Sequence, residues 1–234
     1  MKKKIRINFI HGWGFDSNFW LPLVKELKKI NCFDFFFYNL GFIGKENLDE
    51  KKKISKNEIF VVHSIGFNWL VKNIKKPGLI INLFGSPIFF EDLEKDKVEY
   101  RLYKNMLRDL KINEKKVLKN FYINCGLKEN YNQKKLFNKS KLIYSLERLQ
   151  NDRLVEQTSK LPNKIFSIYS FADNILKKRD FKNYFKNKNH QNFIFLEKSS
   201  HAFPYLEPIK CKNLIIKIFT EQIKKDEKKN KAII

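Results

Sequence analysis

Three things are scarce in this chain, and each closes off a class of protein. There are only three cysteines, Cys32, Cys125 and Cys211. An odd count without metal-ligand spacing argues against a disulfide framework and a zinc knot, and predicts reduced thiols in a cytoplasm. No apolar run is long enough to span a bilayer. The start, Met1-Lys2-Lys3-Lys4, has the charge of a secretion signal. The run that follows, Ile5 to Ile10, is short, carries Arg6 and Asn8, and ends in His11-Gly12-Trp13-Gly14 rather than a cleavage site. A cytoplasmic protein without a membrane partner is the expectation. Acid is the third scarcity: 25 Asp and Glu stand against 48 Lys and Arg, for a net charge of +23.

Such a charge favours an acidic partner. Yet the lysines are dispersed, and Lys, Asn, Ile and Phe are abundant together, as AT-rich coding produces. The plainer reading is a solvated basic surface, with no nucleic-acid partner expected. The stretch from Lys224 to Lys231 reads as a frayed, charged end.

What is present is a core. The 234 residues are 43% hydrophobic and 15% aromatic, enough for one domain. Short β-branched and aromatic runs alternate with helical periodicity. Ile5 to Ile10, Phe33 to Tyr38, Glu58 to Val62, Leu79 to Phe84, Lys164 to Phe171 and Asn192 to Leu196 read as strands. Ser17 is placed to cap a helix through Phe19, Leu23, Leu27 and Ile30, and further helices are expected at Asn174 to Lys186 and from Pro208 to about Lys225. From Phe89 to about Lys160 only helical periodicity appears. Strands alternating with helices predict an α/β fold, a mostly parallel sheet covered on both faces, with a helical insertion.

The stretch Glu58-Ile-Phe-Val-Val-His-Ser-Ile-Gly-Phe67 carries the chemistry. A strand, a sharp turn bearing Ser64, and a helix form the layout that lifts a hydroxyl above the carboxyl end of a sheet. There the next backbone N–H and the helix N-terminus can stabilise an oxyanion. Val62 stands where the G-x-S-x-G pattern has its first glycine and predicts a slightly opened turn. Alone, the stretch reads more readily as an ordinary strand-to-helix turn.

Two later residues add to it. Asp173 follows the fifth strand, and His201 follows the sixth by a short loop. Loops at the carboxyl ends of parallel strands share one rim, so Ser64, Asp173 and His201 can converge as nucleophile, orienting acid and general base. Separately, Asp173 can be a helix cap and His201 a surface residue. Glu197 is a competing acid, set close behind its own strand end, and His190 sits in a polar loop. The other two histidines, His11 and His63, belong to turns.

Together with His11-Gly12-Trp13-Gly14 and Asn39-Leu40-Gly41-Phe42-Ile43-Gly44, this order resembles the α/β-hydrolase superfamily. Within it the H-G-W-G turn is similar to that of the pimeloyl-acyl-carrier-protein methyl ester esterases of biotin synthesis. The Tyr38-Asn39-Leu40 stretch fits them too. The resemblance implies a serine carboxylesterase with catalytic Ser64, Asp173 and His201, an oxyanion hole from the amides of Trp13 and Ile65, and neither cofactor nor metal. It implies a hydrolase core over 1–88 and 161–234 and a helical lid over 89–160, with Val117 to Gly126 similar to a lid helix. Phe67, bulky where a small residue is common, Val62, and the lack of an antiparallel hairpin before the first strand are departures.

In the insertion, Lys97, Arg101, Lys104, Arg108 and Lys111 make one basic helical stripe, with Val98, Leu102, Met106 and Leu110 on the other side. Arg101, Arg108, Lys116, Lys119 and Lys134 are candidate docking residues for an acidic acyl carrier protein; Phe89, Phe121 and Tyr122 are candidates for lining an acyl channel. Either set can be plain solvated surface or ordinary core. A monomer is expected. Two alternatives stay open: a same-fold hydrolase or lyase on a small free acid, ester or thioester, and a basic binding protein on an impaired hydrolase scaffold.

Overall fold

Six parallel strands form one sheet in the order β2-β1-β3-β4-β5-β6. They are β1 (Ile5–Ile10), β2 (Phe33–Tyr38), β3 (Ile59–His63), β4 (Leu79–Leu83), β5 (Ile165–Ser170) and β6 (Asn192–Leu196). The computed structural model of the chain describes residues 4–48, 58–89, 97–132, 134–161, 164–176 and 192–231. Every residue of β3, β4 and β5 is buried, as a strand covered on both faces requires, while β2 and β6 are partly exposed at the sheet edges.

The strand order reverses between β1 and β3. In an open parallel sheet that reversal leaves a crevice at the carboxyl edge, the place where ligands of such folds bind. Here the crevice is bounded by the turn after Ile10 and the turn after His63.

After β1, a 3₁₀ turn (Ser17–Trp20) leads into α1 (Leu21–Lys28). Its cap is Asp16, whose carboxylate accepts from the Asn18 amide at 3.0 Å, rather than the expected Ser17. The carboxylate has the stronger charge-assisted bond, and a salt bridge to Lys135 holds it in place. Helix α2 (Ile65–Asn73) follows β3 without a linker.

Between β4 and β5 lie α3 (Lys97–Ile112), α4 (Glu114–Asn124), α5 (Lys139–Asn151) and α6 (Val155–Ser159). The inward face of α3 is Tyr103, Leu107 and Leu110, with Met106 half-buried; Leu102, expected inside, is 59% exposed. A spacing of four from Leu110 reaches Leu102 only by drifting round the helix, whereas Tyr103, Leu107 and Leu110 keep to one stripe. After β6 come α7 (Phe203–Leu206) and α8 (Pro208–Lys231). The last helix packs against α1 and continues through the stretch expected to fray. The helix expected from Asn174 to Lys186 lies mostly outside the described residues, as does His190.

Candidate active site

The elbow begins with a strand that stays paired to its end. His63 is in register with Leu83, and the Ser64 amide donates to Leu83 O at 2.9 Å. Ser64 then takes φ 53° and ψ −126°, a left-handed conformation that costs a non-glycine residue about 1–3 kcal/mol. It is held from the other side by the Phe67 amide, which donates to Ser64 O at 3.0 Å. Val62 does not open the turn. It is fully buried, paired with Ile10 and Asn82 inside the sheet.

Close approach falls on two glycines. A Cβ on Gly66 would lie 2.6 Å from Ile10 O and 2.8 Å from His11 O, so α2 meets the end of β1 at a distance only glycine permits. The bulk of Phe67 is accommodated across the turn by Gly85, where a Cβ would lie 2.6 Å from the Phe67 Cβ and 2.7 Å from Ser64 O.

Opposite the elbow stands the His11-Gly12-Trp13-Gly14 turn. His11 is fully buried and ties it to the loop after β2: the Leu40 amide donates to Nε2 at 3.0 Å, which places the ring proton on Nδ1, facing Gly12 O at 2.9 Å. Burial lowers its pKa, as it must for a ring nitrogen to accept. The Trp13 indole donates to Leu142 O of α5 at 3.0 Å, and the Tyr122 hydroxyl of α4 donates to Gly14 O. The insertion is thereby fastened to the turn. Ile65, first residue of α2, presents one of the amides that helix geometry leaves unpaired.

His201 Nδ1 bonds Asp173 Oδ2 at 2.8 Å, with both side chains fully buried. Asp173 Oδ1 accepts from the amides of Ile175 at 2.7 Å and Leu176 at 3.2 Å, so both carboxylate oxygens are engaged. Glu197 is exposed and takes no part. With the Nδ1 proton directed at Asp173, His201 Nε2 is the bare lone pair. It is buried with no hydrogen-bond partner among the described residues, so no bond to Ser64 is formed in this state. The ring nevertheless lies at the elbow: its centroid is 4.8 Å from that of His63 and 5.7 Å from that of Phe84.

His63 was assigned only to the turn by sequence, and the structure gives it more. Its Nε2 donates to His201 O at 2.9 Å, joining the elbow directly to the histidine loop. Burial, and the neighbouring His201, hold its pKa well below the usual imidazole value. The signal was its position beside Ser64; nothing in the sequence identified its partner. The same loop is pinned from the insertion by the Ala202 amide, which donates to Cys125 O at 3.0 Å.

The other candidates are distributed differently. Phe121 packs edge-on against Trp13 with centroids 4.9 Å apart, Tyr122 is 1% exposed, and Phe89 packs with Tyr169 and Leu176. Of the basic candidates, Arg101, Arg108, Lys116 and Lys134 are exposed, and Lys119 is half-buried. Arg108 pairs with Asp109 and Lys119 with Glu129, each at 3.0 Å. Among the described residues, no group of three His, Cys, Asp or Glu stands close enough to hold a metal, and no helix is long and apolar enough to cross a membrane.

No protein-family model matches the chain, and no curated protein matches it. Solved structures do. An esterase from Exiguobacterium antarcticum superposes with a TM-score of 0.75 at 14% identity, over 93% of this chain and 92% of that one. A lipase-esterase related protein from Clostridium acetobutylicum gives 0.67 at 14% identity, over 93% and 95%. MenH from S. aureus gives 0.68 at 10% identity, over 94% and 95%. At such identities what is shared is architecture, and with the parallel sheet and its flanking helices it leads to one conclusion: this chain has the α/β-hydrolase fold.

Proposed function

We propose that the protein is a serine carboxylesterase. The observation that carries the reading is the buried Asp173–His201 pair, whose ring packs against His63, the residue before a serine held at positive φ. In this mechanism Ser64 Oγ attacks the ester carbonyl carbon as its proton passes to His201 Nε2. Asp173 fixes the tautomer and stabilises the imidazolium. The amides of Trp13 and Ile65 hold the oxyanion. Collapse of the tetrahedral species breaks the carbon–oxygen bond, and His201 returns the proton to the departing alcohol. Water then attacks the acyl-enzyme by the same route and releases the acid. The missing Ser64–His201 bond fits a resting site, since such bonds commonly tighten only once substrate is bound.

The substrate we propose is the methyl ester of pimeloyl-acyl-carrier protein, with the insertion over 89–160 acting as lid. The basic stripe on α3 and the basic residues of α4 support it, since a carrier protein of this kind is acidic. The test is rescue of a biotin auxotroph lacking its methyl ester esterase, alongside hydrolysis of p-nitrophenyl esters. Growth with the wild type and none with Ser64→Ala supports the reading. Hydrolysis of simple esters without rescue removes the carrier-protein substrate and leaves the esterase.

A second reading, a hydrolase or lyase acting on a small acid, ester or thioester, is favoured by a different observation. The cleft beside Ile65 carries Lys72, Lys141 and Arg148 among its apolar lining, side chains that suit a small charged acid better than a long alkyl chain.

A further inference from the structure

Helix α4 ends in a turn that lies against the histidine loop. The Gly126 amide donates to Ile123 O and the Leu127 amide to Tyr122 O, each at 2.9 Å. Gly126 takes φ 88°, the left-handed conformation that commonly closes a helix. Asparagine can adopt it too, but a second constraint applies here. A Cβ on Gly126 would lie 2.6 Å from Ser200 Oγ and 2.7 Å from Ser200 Cβ. The turn therefore sits flush against the residue before His201. The residue after His201 is bonded to the same turn, its Ala202 amide donating to Cys125 O at 3.0 Å.

His201 is thus carried between two neighbours that both rest on the end of α4. Asp173 orients its ring through Nδ1, and His63 holds its backbone oxygen. Cys125 and Ala202 are both fully buried, so no water stands ready to replace the bond between them. The same helix reaches the opposite wall of the site, where the Tyr122 hydroxyl donates to Gly14 O. The stretch from Tyr122 to Gly126 therefore joins the 11–14 turn to the loop that carries His201.

We infer that the last turn of α4 positions the general base. Gly126, by having no side chain, and Cys125, through its carbonyl, set where the His201 ring stands relative to Ser64. Both act through His201 and are positioning residues. The inference rests on the esterase reading above, and it makes the insertion part of the catalytic framework. Misplacing a catalytic group by about 1 Å can cost on the order of 100-fold in rate, so a clash of this depth at Ser200 should be felt.

The test is a mutant cycle on the full chain, read by kcat and KM for p-nitrophenyl butyrate and by amide hydrogen exchange in the segment 199–206. Gly126→Ala should lower kcat about tenfold with KM within about twofold, and exchange in the segment should quicken. Adding Ser200→Gly removes the atoms that the new methyl meets. The double variant should recover most of kcat and of the protection. The left-handed strain of the alanine is common to both variants and cancels between them. Gly44→Ala is the control: it places alanine at φ 70°, with Asn39 Nδ2 at 3.9 Å the nearest contact. It should cost stability without moving kcat or exchange in the segment. Should Gly126→Ala fail to fold, Ser200→Val crowds the same contact from the loop side and should lower kcat in the same way. Unchanged kcat and exchange in the crowded variant, an equal loss in Gly44→Ala, or a double variant no better than the single one overturns the inference. An active wild type whose kcat Gly126→Ala leaves alone keeps the esterase and removes the inference. A wild type that hydrolyses no ester and takes no fluorophosphonate removes the esterase, and the exchange comparison then decides whether the turn holds the loop.

Discussion

Ser64 is a non-glycine residue held at positive φ. Glycine accepts φ 53° freely, so Ser64→Gly should be more stable than Ser64→Ala by about 1 kcal/mol in urea unfolding, although both lack the hydroxyl. Equal stabilities would mean that the elbow is unstrained. His11 and His63 make a second residue-scale prediction. Burial holds both rings below the ordinary value of 6.5. As pH falls through 6.5 the unfolded chain takes up protons that the folded chain refuses. The stability these neutral rings permit is full above that pH and declines below it, by ~1.4 kcal/mol per pH unit for each ring until its folded value is reached. His63→Gln, which keeps a donor for His201 O, should remove a large part of that slope between neutral and mildly acid pH. The sheet edge that Ser64, Asp173 and His201 share was legible in sequence, because each follows a strand and parallel topology fixes where those loops gather. The part played by His63 was not. It depends on one hydrogen bond made across 138 residues of chain, and such a partner leaves no local pattern.

The insertion is fastened by polar bonds to the turn after β1 and to the loop that carries His201. Tyr122→Phe removes the bond to Gly14 O and should cost about 1 kcal/mol. Hydrogen exchange should rise in α4 and in the 11–14 turn while the β-sheet stays protected; uniform exchange across the chain would mean that α4 is not anchored there. Gly66→Ala places a methyl 2.6 Å from backbone oxygen and should destabilise by about 1–3 kcal/mol, with α2 displaced from β1. The strands were readable because they are short, apolar and separated by turns. The orientation of α3 was not, because its apolar residues are spaced to suit two faces and only packing against α4 and α5 selects the one that carries Tyr103. Asp16 displaced Ser17 as cap for a similar reason: its partner Lys135 comes from the insertion.

The whole molecule carries +23 in formal charge, and no exposed pair of the kind seen at Arg108 or Lys119 contributes more than about 1 kcal/mol to stability. Any effect of the charge on association is read from salt dependence. If the carrier-protein substrate is right, kcat/KM toward it should fall about tenfold or more between about 50 and about 500 mM salt, while hydrolysis of a small neutral ester stays level. A level profile for both would leave the charge as solvated surface. Beneath substrate and partner lies the claim that Ser64 is an activated nucleophile. A fluorophosphonate probe followed by peptide mass spectrometry tests it most directly. A single adduct on Ser64 is expected, abolished by Ser64→Ala and strongly reduced by His201→Ala. An unlabelled wild type, or an adduct that persists in Ser64→Ala, would contradict it.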